Sequence, residues 1–324
     1  MTQEIDRTTL RFKSVHFKGL APGPRLVVTG AVHGNETCGT QAITRVLAEM
    51  DSGKIPIVAG EVTFVPVTNP LAYAKGDRAG DRNLNRNLRP TSEPKDFEDH
   101  VANWLCPILA RHDVLLDLHS TRGKTPAFVM LGPKDNAGAI EPFTHSAKER
   151  AMARILGVER YVEGWLGTYA KGVARRVKSG LGSGLNTDPK YGVGTTEYMR
   201  TQGGYAITLE CGQHEAPESP EVAYRAIRNV LAHLGITGEP RPEPVARWEA
   251  LKIDDVIDRA HDADKFARAW ASFDTLKRGE LIATRHDGTE VRAQDDGWIV
   301  FPDVGAKPGH EWFYFARANP QVWS

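Results

Sequence analysis

Arg25-Leu-Val-Val-Thr-Gly30-Ala-Val-His33-Gly-Asn-Glu36, followed by a stretch carrying Ile43, Val46, Leu47 and Met50, decides how this chain folds. The apolar run before Gly30 is short and β-branched, and the apolar residues after Glu36 recur at helical spacing. In order this predicts a strand, a tight turn and a helix over residues 36–50. The alternation continues outward. Residues 61–67 and 114–118 read as strands, 97–111 as a helix and 205–209 as a strand. Residues 221–234 read as a helix with Val222, Ala226, Val230 and Leu234 along one side. Strands alternating with helices predict an α/β sheet.

The alternation ends at Gly238-Glu-Pro-Arg-Pro-Glu-Pro244, where three prolines in five residues cannot continue a helix. Residues 280–284, 290–293, 298–301 and 312–316 are short, β-prone and separated by turns such as Asp287-Gly288. The expected organisation is therefore an α/β domain over residues 1–237 and a small β-rich domain over 245–324. At roughly 100–200 residues per domain, the length of 324 residues agrees with two domains.

Composition narrows the function classes. The chain has 41 basic and 41 acidic residues and a formal net charge of zero, which argues against a nucleic-acid binder or an acidic disordered tail. Residues 238–324 hold 12 basic and 16 acidic residues, a balance of −4, so residues 1–237 carry +4. No apolar run approaches the ~20 residues of a membrane-spanning helix, and the first residues lack a signal peptide's basic and apolar regions. A cytoplasmic protein with no membrane or nucleic-acid partner is expected, and a homo-oligomer is compatible with the sequence. Cys38, Cys106 and Cys211 form no C-x-x-C pair and are expected to be reduced and buried.

Two histidines fall where an α/β sheet builds its site, just past the carboxyl ends of strands. His33 follows the strand that ends near Gly30, and His119 directly follows Leu118. In His33-Gly-Asn-Glu36 the imidazole and carboxylate are three residues apart on a turn, so both can point at one ion. With His119 they make a two-histidine, one-glutamate set that leaves a fourth tetrahedral position open, the arrangement of a catalytic zinc. Asp117 either orients one of these ligands or caps a neighbouring helix. The stretch Asn69-Pro-Leu-Ala-Tyr-Ala-Lys-Gly-Asp-Arg78 and then Asp81-Arg-Asn-Leu-Asn85-Arg86-Asn-Leu is too rich in Gly, Asn, Asp and Arg for a core element. Arg82 and Arg89 within it are expected to be solvated surface charges.

Five pieces, in order over about 180 residues, resemble the succinylglutamate desuccinylase/aspartoacylase family, relatives of the zinc carboxypeptidases. They are Gly30-Ala-Val-His33-Gly-Asn-Glu36, Asn69-Pro-Leu-Ala, Arg78 seven residues before Asn85-Arg86, Asp117-Leu-His119-Ser-Thr121, and Glu210 within Leu-Glu-Cys-Gly-Gln213. The resemblance implies a zinc-carboxypeptidase-like mixed sheet flanked by helices, followed by a small β-rich domain. It implies one Zn2+ held by His33, Glu36 and His119, and Glu210 as the residue that activates water. Arg78 would polarise the scissile carbonyl, while Asn85, Arg86 and Arg200 would bind substrate. The implied activity is hydrolysis of a small anionic N-acyl amino acid, such as N-acetyl-aspartate or N-succinyl-glutamate.

The sequence departs from the family at Asn83, where Asp is usual, and at Leu88, where an aromatic often stands. Tyr314 is a candidate for a C-terminal tyrosine that touches substrate. Three other readings of the same residues stand beside the amidohydrolase. One is a metallocarboxypeptidase acting on peptides, and another is a passive metal- or anion-binding protein, in which Glu210 would have no purpose. The third is a cysteine hydrolase built on Cys211 and His214, against which the family places no nucleophile there.

Overall fold

The structure is a computed structural model describing residues 5–180, 187–320 and 322. Its chain divides into two units. In chain order the first elements are β1 (Val15–Lys18), β2 (Ala21–Thr29), α1 (Cys38–Asp51), β3 (Ala59–Val65), α2 (Pro70–Lys75), α3 (Phe97–Ala110), β4 (Val114–Thr121) and β5 (Phe128–Met130). Then come α4 (Ser146–Ala153), β6 (Arg160–Glu163), α5 (Trp165–Ser179), α6 (Thr195–Thr201), β7 (Tyr205–Gln213) and α7 (Ser219–His233).

The first unit holds the strand order β1-β3-β2-β4-β7-β5. β2 runs parallel to both β3 and β4, and β4 runs parallel to β7. β1 and β5 pair antiparallel at the two sides, which makes the sheet mixed. From β2 the chain goes through α1 to β3 on one side, then returns through α3 to β4 on the other. The carboxyl ends of β2 and β4 therefore flank a topological switch point, the place where open α/β sheets bind ligands.

Residues 114–120 of β4 are all buried, as a central strand covered on both faces requires. Val27, Leu115 and Ala206 pack with Val101, Leu105, Cys106 and Leu109 of α3 on one face. Leu118 has the opposite parity to Leu115 and packs against Gly39 of α1, so α1 lies on the other face. Burying a side chain such as Leu115 or Val27 contributes about 1.5–3 kcal/mol. α1 and α7 are joined by ion pairing of Arg45 with Glu221 at 2.8 Å and a Tyr224 hydroxyl donated to Glu49 at 2.7 Å.

The second unit comprises residues 123–125, 161–192 and 249–324, so it draws on the middle of the chain as well as its C-terminal part. It adds β8 (Glu249–Asp258), β9 (Lys265–Phe266), β10 (Thr275–Leu276), β11 (Leu281–Thr284), β12 (Glu290–Arg292), β13 (Gly297–Val300) and β14 (Glu311–Ala318). Its strands run β6-β8-β14-β13-β10, beside a small sheet β12-β11-β9. Leu276, Ile282, Ile299, Trp312 and Phe313 form its core. α5 is tied to β8 by the Thr168 hydroxyl donating to Ile253 O at 2.8 Å. The buried Arg176 joins Asp258 and Glu311 at 2.7 and 2.9 Å. Among the described residues no helix is long and apolar enough to cross a membrane.

Candidate metal and catalytic site

The turn after β2 is shaped by backbone demands. Ala31 has a positive φ of 47°, a conformation costly for a residue with a Cβ. At Gly34 a Cβ would lie 1.9 Å from the carbonyl carbon of Ala72 in α2, so only glycine allows this approach. α2 itself starts at Asn69, whose Oδ1 accepts Ala72 N–H at 3.2 Å, with Pro70 at the first helical position. The turn is thereby pressed onto α2, and His33 and Glu36 are held at the end of β2.

His33, Glu36 and His119 are all buried, and one ligand atom from each falls within 4.8 Å of the others. Glu36 Oε1 lies 2.8 Å from His33 Nδ1, and Oε2 lies 2.9 Å from His119 Nδ1. Ser120 N–H also donates to Glu36 Oε2 at 3.1 Å. The far nitrogens are occupied too: His119 Nε2 meets Asp117 Oδ2 at 2.9 Å and His33 Nε2 meets Asn83 Oδ1 at 3.0 Å. Asp117 thus orients His119 instead of capping a helix.

The electrostatics of this cluster call for positive charge. Burial, helped by Arg78, pushes the His33 imidazole down to about 4. Against its own burial, His119 is held well above the ordinary histidine range by Asp117 and Glu36. Burial alone would raise Glu36, yet His33 and His119 hold it well below the ordinary carboxylate range. His33 Nδ1 faces Glu36 Oε1 at 2.8 Å and His119 Nδ1 faces Glu36 Oε2 at 2.9 Å, so the donor atoms converge where one cation could be held. Buried charges of this kind are paired or coordinate a metal. Two imidazoles and a carboxylate are donors suited to zinc.

Glu210 stands on β7 in register with His119 on β4. The residue keeps some exposed surface, but its Oε2 is buried and has no hydrogen-bond partner. Its burial and the Glu36 carboxylate push it up to about 7. Arg78 is half-exposed and reaches Glu36 Oε1 with Nη1 at 3.0 Å. Asn85 lies in the same loop, where its Oδ1 accepts Thr195 N–H at 2.9 Å, and Arg86 Nη1 donates to Asn85 O at 2.8 Å.

Several readings of the sequence need correction. Arg200 is buried and committed elsewhere: its guanidinium donates to Glu149 Oε2 at 2.9 Å, Glu141 Oε1 at 2.8 Å and Ala206 O at 2.9 Å. These partners hold its fork within the first unit, so we do not retain it as a substrate-binding arginine. Arg82 is likewise no solvated charge. It donates to Asp96 and Asp99 at 2.8 and 2.9 Å and to Arg86 O at 2.8 Å, fastening the loop; Arg89 is exposed as expected. His214 does not pair with Cys211. Its Nδ1 lies 2.9 Å from Ser120 Oγ, while the Cys211 thiol faces Leu209 O at 3.7 Å. Burial pushes that thiol well above its ordinary range, away from a nucleophilic thiolate. All three cysteines are buried and free. Tyr314 belongs to the second unit, buried beside Trp165 and Phe301.

Two organising residues escaped the sequence reading. Glu98 of α3 is fully buried and accepts Asn69 Nδ2 and the backbone N–H groups of Gly80, Asp81 and Arg82, at 2.8 to 3.2 Å. It thereby folds the loop that carries Arg78, Asn85 and Arg86. Thr195, at the start of α6, donates its hydroxyl to Asp117. A glutamate in the first turn of an amphipathic helix and a threonine in a Gly-rich loop carry no pattern that marks them.

Fold and site together define an α/β protein with a buried histidine-glutamate-histidine cluster at its switch point, able to hold one metal ion. Residues 22–155 match the succinylglutamate desuccinylase/aspartoacylase catalytic domain. A succinylglutamate desuccinylase from Burkholderia lata is 26% identical over 301 residues, 88% of this chain and 76% of that one. The structure of succinylglutamate desuccinylase from Vibrio cholerae has a TM-score of 0.71 at 18% identity, covering 94% of this chain and 85% of that one. The product-bound ectoine utilization protein EutE (DoeB) from Ruegeria pomeroyi has a TM-score of 0.67 at 21% identity, covering 94% and 88%. These two likenesses establish the shared fold.

Proposed function

We propose that this protein is a zinc-dependent amidohydrolase that cleaves the amide bond of a small N-acyl amino acid. The observation that carries the proposal is Glu210, whose buried Oε2 lacks a partner beside a cluster that can hold a metal. Such an orphaned carboxylate oxygen is costly unless it has a task. The match of residues 22–155 to the succinylglutamate desuccinylase/aspartoacylase catalytic domain and the Burkholderia lata relative, named a succinylglutamate desuccinylase, support the same reading.

His33, Glu36 and His119 would hold zinc through Nδ1, a carboxylate oxygen and Nδ1. Zinc supplies Lewis acidity there, lowering the pKa of water and drawing charge from a carbonyl oxygen. Glu210 takes the proton of the attacking water on Oε2 and returns it to the departing amine nitrogen. Its upward shift toward 7 suits both halves of that task. Arg78, at the edge of the cluster, offers N–H donors where negative charge grows on the substrate oxygen. Asn85 and Arg86 lie in the loop that Glu98 and Arg82 hold in shape, and the Arg86 fork suits a substrate carboxylate. Asp117 and Asn83 keep the two imidazoles aimed.

The test is amine release by the zinc-loaded protein from a panel of N-succinyl, N-acetyl and N-formyl amino acids, run beside short peptides. Turnover confined to N-acyl amino acids and lost on chelation is expected. Turnover of the peptides alone would make the protein a metallocarboxypeptidase instead. Full zinc occupancy with no hydrolysis anywhere in the panel would make it a binding protein.

A further inference from the structure

The two histidines of the cluster are backed by different chemistry. His119 Nε2 rests on the carboxylate of Asp117, whereas His33 Nε2 rests on the side-chain amide of Asn83 at 3.0 Å. The Asn83 atom is its oxygen, because the same atom accepts the backbone N–H of Asn85 at 2.9 Å. An amide oxygen can only accept, so when a metal takes the Nδ1 lone pair the single proton of the neutral ring sits on His33 Nε2 and is donated to Asn83. The lone pair of Nδ1 is then turned into the cluster, toward Glu36 Oε1 at 2.8 Å. That is the tautomer a metal ligand requires.

The shared oxygen also links the histidine to the loop. Asn85 Oδ1 accepts Thr195 N–H at 2.9 Å, the Thr195 hydroxyl donates to Asp117, and Asp117 closes on His119. Behind the metal cluster runs a chain of hydrogen bonds through His33, Asn83, Asn85, Thr195, Asp117 and His119, and Glu36 spans the two imidazoles to close it into a ring. Gly194 permits the closure, since a Cβ there would lie 2.0 Å from Asn85 Oδ1.

We infer that Asn83 is a positioning residue for the metal site. It fixes the tautomer and aim of His33 and, through one shared oxygen, couples metal holding to the order of the loop presenting Asn85 and Arg86. The inference rests on the reading of His33, Glu36 and His119 as metal ligands. It also gives the Asn83 departure a consequence: His33 has a neutral acceptor behind it where a carboxylate would strengthen it as a ligand. The site of this chain therefore holds its metal less tightly than an otherwise identical site with a carboxylate at that position would.

Zinc affinity, measured on the full chain by competition with a chromophoric chelator and without substrate, tests this in the wild type, Asn83→Ala and Asn83→Asp. Asn83→Ala is expected to weaken zinc binding about 10–100-fold, while Asn83→Asp binds at least as tightly as the wild type. Thermal melting of the metal-free proteins accompanies the titrations, so that a general loss of fold is separated from a loss of aim. An Asn83→Ala affinity within about two-fold of the wild type overturns the inference, as does an Asn83→Asp affinity as weak as that of Asn83→Ala. A wild-type protein that binds no zinc overturns the metal reading itself, which is a different result.

Discussion

His119 and Glu210 are register partners on the parallel strands β4 and β7, so their side chains leave the sheet on the same face. Near its carboxyl end one strand carries a candidate metal ligand and its neighbour a carboxylate, with no loop needed to bring these two together. Sites built on strands hold their geometry better than sites built on loops. Asp117 shares that face two residues before His119, which places it against the imidazole it orients.

Arg78 supplies the next expectation. Its guanidinium sits 3.0 Å from Glu36 with half its side chain exposed, in contrast to the buried cage that encloses Arg200. Arg78→Ala should lower kcat by about 10²–10³ with zinc retained, and Arg78→Lys should recover only part of it. Steady-state kinetics on metal-loaded samples check this, and a kcat within about three-fold of the wild type would remove Arg78 from the chemistry.

For Arg200 the expected loss is in stability. Replacing it by Met leaves Glu149 and Glu141 buried without their cation, a change that typically costs about 3–5 kcal/mol. Denaturant unfolding should report that loss, and whatever folded protein remains should keep its KM. A variant of normal stability with a greatly raised KM would return Arg200 to the substrate.

Asp264 sets a pH dependence in the second unit. Its burial would raise its pKa, but the backbone N–H groups of His286, Ala260 and His261, together with Arg285, hold it far below the ordinary carboxylate range. With the folded-state pKa depressed, the stabilisation is complete above the unfolded pKa of about 4 and is lost as pH falls below it. Asp264→Asn should therefore cost roughly 1–3 kcal/mol at pH 7 and progressively less as pH drops below about 4. Melting curves of both proteins across that range decide it; a difference independent of pH would contradict the account.

The first unit was legible where apolar periodicity is strong. The helix expected over residues 36–50 is α1 at Cys38–Asp51, and that over 97–111 is α3 at Phe97–Ala110. β7 runs four residues beyond the expected 205–209, because its last residues, Glu210 and Gln213 among them, face the site or solvent and break the apolar pattern. α5 escaped notice because Gly167 and Gly172 interrupt it, although Leu166, Tyr169 and Val173 line its buried side. The two histidines and Glu36 were readable because strand ends and short spacing place them. Arg200 was misread because its partners Glu141 and Glu149 lie 59 and 51 residues away in sequence. Asn83 and Thr195 were invisible as linkers for the same reason: a hydrogen bond across the fold leaves no periodic mark.

The most direct test is Glu210→Gln, with zinc content and amine release measured on the same purified sample. The substitution keeps the side chain's size and removes its capacity to take a proton. The account predicts one zinc per chain and a fall in turnover of about 10²–10⁴ on the best N-acyl amino acid. Full zinc occupancy with undiminished turnover would show that the proton goes elsewhere and that Glu210 is not the base.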